Sequence, residues 1–217
     1  MFNPHSIFVA SLCFSFLGSA TIWKASTSAG NTPIPSESAY PWQVERWNNA
    51  EIRPDWRGRA DAIAHRIKAH RDTYKKTEKA TGVPWEVVGV LHNMESGGNF
   101  TRHLHEGSPL IARTRYVPKG RPNVGSPPFT WQESAYDALY RLKRMDKYDW
   151  SDLGVKLQRI ELYNGAGYQK YHKSVPSPYL WSGTTIYTSG KYVADGKWSS
   201  TAVSKQVGCA CILKLLE

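Results

Sequence analysis

The sequence predicts a mainly α fold: one domain with a central buried helix and long irregular loops. Three observations point there. The stretch from Pro84 to Glu95 is apolar nearly all the way round, which marks a helix enclosed by others. On either side of it, apolar residues recur at helical spacing in four further segments. The residues that break helices, Gly and Pro above all, gather in two long stretches, 96–130 and 166–200.

Taken in order, the N-terminus comes first. Ile7 to Trp23 is apolar with small residues, and Gly18-Ser19-Ala20 or Thr27-Ser28-Ala29 resembles the end of an export signal. A retained membrane anchor is the alternative, since the run is near the lower length limit for spanning a bilayer. Residues 1–29 are therefore assigned as signal or anchor, 30–45 as a flexible Ser-, Thr-, Pro- and Gly-rich linker, and 46–217 as the folded domain. A helix over 55–81 carries Ala60, Ile63, Ala64, Ile67 and Tyr74 inward and a row of Arg and Lys outward. Gly82-Val83-Pro84 ends it and starts the buried helix. Thr130-Trp131-Gln132-Glu133 is a capping box opening a helix with Ala135, Ala138, Leu139, Leu142 and Met145 inward. Ser151 is expected to cap a helix that stops at Asn164-Gly165, and Thr201 to Leu216 reads as a final amphipathic helix. A short hairpin is expected within 96–130, and residues 166–200 read as irregular or short strand.

Composition narrows the class. The chain has 217 residues and a formal charge of +10, of which +9 lies beyond residue 29. A basic surface suits a polyanionic partner, whether nucleic acid, anionic membrane or anionic cell wall. No nucleic-acid recognition motif is visible, and an export signal argues against that partner. Three cysteines, Cys13, Cys209 and Cys211, make neither a disulfide framework nor a zinc spacing. Nine Trp and twelve Tyr, many in loop-like sequence, offer flat faces for sugar rings or anchors for long loops.

Glu95 is the residue that breaks its own pattern. It shares a helix face with Leu91, Val88 and Trp85, where a hydrophobe is expected. Ser96-Gly97-Gly98 then ends the helix, which is expected to place the carboxyl dry at the negative end of the helix dipole; a solvated glutamate in an exposed last turn is the alternative. Both effects disfavour the anion and keep a glutamic acid protonated near neutrality, ready to act as a general acid.

Glu95-Ser96 at a helix end, then Phe100, and Tyr163-Asn164-Gly165-Ala166-Gly167 after a later helix resemble the lysozyme-like superfamily, closest to lytic transglycosylases and goose-type lysozymes. Over residues 84–215 the chain also resembles bacterial and phage lysozyme-like proteins, through runs such as His103-Leu104-His105-Glu106-Gly107-Ser108-Pro109-Leu110, Pro127-Pro128-Phe129-Thr130-Trp131 and Pro178-Tyr179-Leu180-Trp181-Ser182-Gly183. The resemblance implies a lysozyme-like domain whose loops form a glycan cleft, and cleavage of the β-1,4 bond between N-acetylmuramic acid and N-acetylglucosamine. It implies that Glu95 protonates the glycosidic oxygen, that Ser96 lies beside the substrate, that Tyr163 orients the acid or bonds the sugar, and that Asn164 shapes the turn beneath. The Gly-Leu-Met-Gln motif that follows the acid in typical lytic transglycosylases is absent, replaced by the His- and Pro-rich stretch 103–129.

Further residues complete the expectation. Tyr179, Trp181 and Tyr192 are assigned to the glycan cleft, with Tyr187 and Trp198 nearby. A hydrolase normally uses a second carboxylate, for which Glu106, Glu133, Asp137, Glu161 and Asp195 are candidates; Glu133 reads better as a cap and Glu161 as a helix-surface acid. His92, His103, His105 and Glu106 hint at a metal, but the ligand set is incomplete, so neither metal nor cofactor is expected. The expected partners are peptidoglycan strands and the anionic cell wall, met by an exported monomer. A non-catalytic glycan-binding protein on the same fold is the competing expectation.

Overall fold

The computed structural model describes residues 38–217, so the expected signal or anchor lies outside the described residues. The described part of the expected linker is structured. Ser38 Oγ and Ala39 N bond to Asp152, at 2.5 and 3.0 Å, and α1 (Pro41–Asn49) begins at a proline in its first turn. Gln43 and Trp47, four residues apart on one face, are buried and hold α1 down.

The helix expected over 55–81 is two helices, α2 (Pro54–Ala69) and α3 (Arg71–Thr81), divided at His70, whose φ of −106° and ψ of 18° leave helical geometry. The break lets α2 lie along the C-terminal helix α9 (Cys209–Leu216) while α3 lies along the central helix α4 (Trp85–Ser96). As expected, α4 is enclosed: Val87 to Glu95 are all buried, with α2, α3, α9 and α6 (Leu153–Tyr163) packed around it.

Thr130 and Glu133 form the expected reciprocal capping box at the start of α5 (Trp131–Tyr136). That helix does not run on regularly to Met145. It widens into a π-helical segment, Asp137–Leu142, and ends in a 3-10 turn, Met145–Lys147. The widened turn carries Asp137 inward, where it is fully buried. The cap of α6 is Asp152, which accepts from Gly154 N at 2.8 Å and Val155 N at 3.2 Å. Ser151, the expected cap, spends its hydroxyl on Asp149 at 2.6 Å. The stop after Tyr163 is as expected.

Two short helices follow, α7 (Gly167–Tyr171) and α8 (Pro178–Trp181), then an antiparallel hairpin, β1 (Lys191–Ala194) with β2 (Lys197–Ser199). The sheet pairing thus falls at 191–199; stretch 96–130 holds only an isolated bridge between Arg102 and Pro109. The last helix starts at Cys209, eight residues later than expected. Residues 202–208 spend backbone groups on the preceding segment, Gly190 N on Ala202 O at 2.9 Å and Gly208 N on Ser182 O at 2.8 Å, which replaces helical bonding there. Among the described residues no helix is long and apolar enough to cross a membrane.

Candidate active site

Glu95 sits in the last turn of α4, which closes at Gly97 in the left-handed region, φ 66°. The residue is 9% exposed, so its carboxyl has lost nearly all its water. Burial pushes its pKa from an ordinary 4.5 up to about 7. A hydrogen bond from the Tyr179 hydroxyl to Oε1, at 2.8 Å, and the Lys143 ammonium oppose the rise; the Glu106 charge adds to it. The carboxyl is thus poised to hold or lose a proton near neutrality.

Five parts of the chain meet there. Helix α8 brings Tyr179 and the end of α6 brings Tyr163. Cys209, first residue of α9, lies within electrostatic reach of both Glu95 and Tyr179. Lys143, after the π-helical segment, donates to Tyr163 O at 3.3 Å and stands 5.2 Å over its ring. The fifth part is the loop after α4. Its Gly107 passes so close that a Cβ there would lie 2.5 Å from the Glu95 carbonyl oxygen, and its φ of 78° also requires glycine.

The expected site residues divide. Tyr179 is the direct partner of Glu95, a role the sequence reading gave to Tyr163. Tyr163 is near, since the Glu95 charge raises its pKa after burial has done so, but its hydroxyl donates to Leu104 O at 3.0 Å. It fixes the loop rather than the acid. Ser96 turns back on its own helix, donating to His92 O at 3.1 Å. Asn164 is the half-buried C-cap of α6. Trp181 is fully buried in the hydrophobic core and offers no face to a sugar. Tyr192 belongs to a different aromatic cluster, with Tyr168, His172 and Trp198, that ties the hairpin to α7; His172 and Trp198 stack at 3.5 Å. Tyr187 is buried as well. The long aromatic segment is mostly loop anchorage.

Of the candidate second carboxylates, Glu106 alone acts on Glu95. It is 3% exposed; Oε1 accepts from Ser108 N at 3.3 Å and from the Ser108 hydroxyl, and Oε2 has no partner among the described residues. Asp195 is exposed in the hairpin turn and Glu133 is spent on its cap. Glu161, expected on the surface, is 3% exposed instead. It accepts from Gln43 at 2.8 Å and Gln169 at 3.2 Å, and burial raises its pKa. It borders a cavity of about 460 Å³ with Trp42, Arg46, Tyr168 and Gln169, which includes none of the Glu95 cluster.

Asp137 is neutralised. Arg121 clamps both its oxygens, at 2.8 and 3.0 Å, and His105 Nε2 donates at 2.8 Å. Burial works against the anion, but these partners outweigh it and hold the carboxyl below its ordinary range. Two of the histidines expected as possible ligands, His103 and His105, are committed to the same network, whereas His92 meets the Tyr74 hydroxyl at 3.0 Å. The Ser134 hydroxyl lies 2.9 Å from His103 Nδ1 and 3.3 Å from His105 Nδ1, and His103 Nε2 donates to Ala112 O at 2.8 Å. Among the described residues no three His, Cys, Asp or Glu side chains converge to hold a metal ion. Sequence reasoning named Asp137, His103 and His105 separately but missed the network that joins them; Ser134 and Asp137, three apart and polar on an inward face, were a further signal.

Comparison with protein-family models, curated proteins and solved structures gives no match.

Proposed function

We propose that this protein cleaves the β-1,4 bond between N-acetylmuramic acid and N-acetylglucosamine in peptidoglycan, on a lysozyme-like fold, with Glu95 as general acid. The observation that carries the reading is the Glu95 carboxyl itself, dry at a helix end, with its pKa near 7 and a tyrosine hydroxyl 2.8 Å away. A structural glutamate gains nothing from that placement, which costs native-state stability at neutral pH.

In the proposed step Glu95 gives its proton to the bridging oxygen as the bond from that oxygen to the muramyl anomeric carbon breaks. The leaving sugar departs as an alcohol and the muramyl ring takes on oxocarbenium character. Tyr179 donates to the carboxylate just formed, and Lys143 steadies its charge. The carboxylate then accepts a proton from the incoming hydroxyl, either a water or the muramyl 6-hydroxyl, and is restored. Glu106 helps keep Glu95 protonated before the step. The loops around the acid, 96–130 and 166–190, would wall the glycan cleft. The basic outer face of α2 and α3 suits an anionic wall, and residues 1–29 suit export to it.

Purified sacculi digested with wild-type protein and with Glu95→Gln test this, with released muropeptides read by mass spectrometry. Wild type should release disaccharide muropeptides, and the variant should lose on the order of 10²-fold or more while keeping its fold. An inactive wild type that sediments with sacculi would favour a glycan-binding protein. An equally active variant would remove Glu95 from the chemistry.

A further inference from the structure

The loop between Leu110 and Phe129 presents a surface that peptidoglycan cleavage leaves unexplained. Eight large hydrophobic side chains are exposed among the described residues, and four of them fall within this one loop: Ile111 (74%), Tyr116 (58%), Val117 (51%) and Val124 (54%). Such clustering separates the loop from the scattered apolar residues of an ordinary surface. Residues 107–132 also contain four cations and no acid.

The loop is held in shape. Thr114 N donates to Arg121 O at 2.8 Å, Gly120 N to Thr114 O at 3.0 Å and Arg121 N to Thr114 Oγ1 at 2.8 Å. At its base Arg121 enters the buried Asp137 pair, and Arg113 donates to Gly125 O at 2.7 Å. Arg121 and Arg113 thus serve the loop itself. Arg115 and Lys119 are exposed at the tip, either side of Tyr116 and Val117. The acids that flank the loop in sequence do not offset its charge at the surface: Glu106 is buried, Glu133 is engaged by Thr130, and Asp137 is paired with Arg121.

We infer that the 111–124 loop docks on an anionic phospholipid surface, its aliphatic and aromatic tips entering the interface and Arg115 and Lys119 meeting the headgroups. Charge complementarity chooses an anionic partner, and the aliphatic tips choose hydrocarbon over glycan, because Ile and Val gain little against a hydrated sugar strand. The loop leaves the chain directly after the segment that packs on Glu95, so docking would hold the candidate active site close to the membrane. The inference stands independently of the reaction at Glu95.

The N-terminal apolar run could itself enter a bilayer, so the test needs a local readout in the full chain. In a Cys13→Ser background Val117→Cys carries an environment-sensitive dye; Cys209 and Cys211 are fully buried and stay unlabelled. With vesicles of equal phosphatidylcholine and phosphatidylglycerol the dye should shift to the blue and be quenched by lipid-borne quenchers, and with phosphatidylcholine alone it should not. Arg115→Gln and Lys119→Gln should each weaken the response roughly fivefold, the worth of one surface cation. A dye that stays in water with anionic vesicles, or that responds only to purified sacculi, overturns the inference.

Discussion

Glutamine at position 95 should make the protein more stable above neutrality while abolishing its proposed activity. In the native state burial raises the Glu95 pKa from 4.5 to about 7. A carboxyl raised in this way stabilises the fold fully below its unfolded pKa, and that stability drains away as pH climbs through the folded value. The difference corresponds to about 3 kcal/mol, since one pKa unit is about 1.4 kcal/mol. Glutamine is never charged, fits the same space and still accepts the Tyr179 hydroxyl through its amide oxygen. Urea denaturation of variant and wild type at a series of pH values measures the effect. The two should be equally stable below about pH 4.5, diverge across the window from there to about 7, and stay apart by about 3 kcal/mol above it. A variant no more stable than wild type at high pH would refute the reasoning, because the buried anion would then cost nothing.

The neighbours of Glu95 should move its titration in opposite directions. Tyr179→Phe removes a bond to the anion and should carry the alkaline fall in activity to higher pH, whereas Glu106→Gln removes a repelling charge and should carry it lower; pH–rate profiles read both. Asp137→Ala strands Arg121 and His105 and should cost about 3–5 kcal/mol in urea melts, with trypsin then cutting within 113–121. Trp181→Ala should lower stability by about 3–5 kcal/mol, as for any large core residue, and leave glycan affinity of the folded fraction unchanged in sacculus pull-downs.

Much of this was legible in residue order because local physics decides it. Helix α4 announces its burial by having no polar face, and Glu95 stands out against that background. The capping box at Thr130 and the stop after Tyr163 depend on a few adjacent residues. What failed depends on distant partners. The break at His70 arises because α2 and α3 rest on different helices, and the late start of α9 because residues 202–208 bond to 182–190. Tyr179 rather than Tyr163 meets the acid for the same reason. Both are tyrosines near a turn, and only packing decides which hydroxyl meets the acid and which meets Leu104 O. Trp181 and Tyr192 show the limit of reading aromatics in loops, since one fills the core and the other pins a hairpin.

The central claim is a protonated carboxyl at Glu95 near neutral pH, and carbon NMR of side-chain carboxyls reads it directly. Subtracting the titration of Glu95→Gln from that of wild type isolates one resonance. Its midpoint should fall at about 7 and coincide with the alkaline fall in muropeptide release. A midpoint close to 4.5, the ordinary glutamate value, would mean that the acid is ionised at neutrality and would contradict the account.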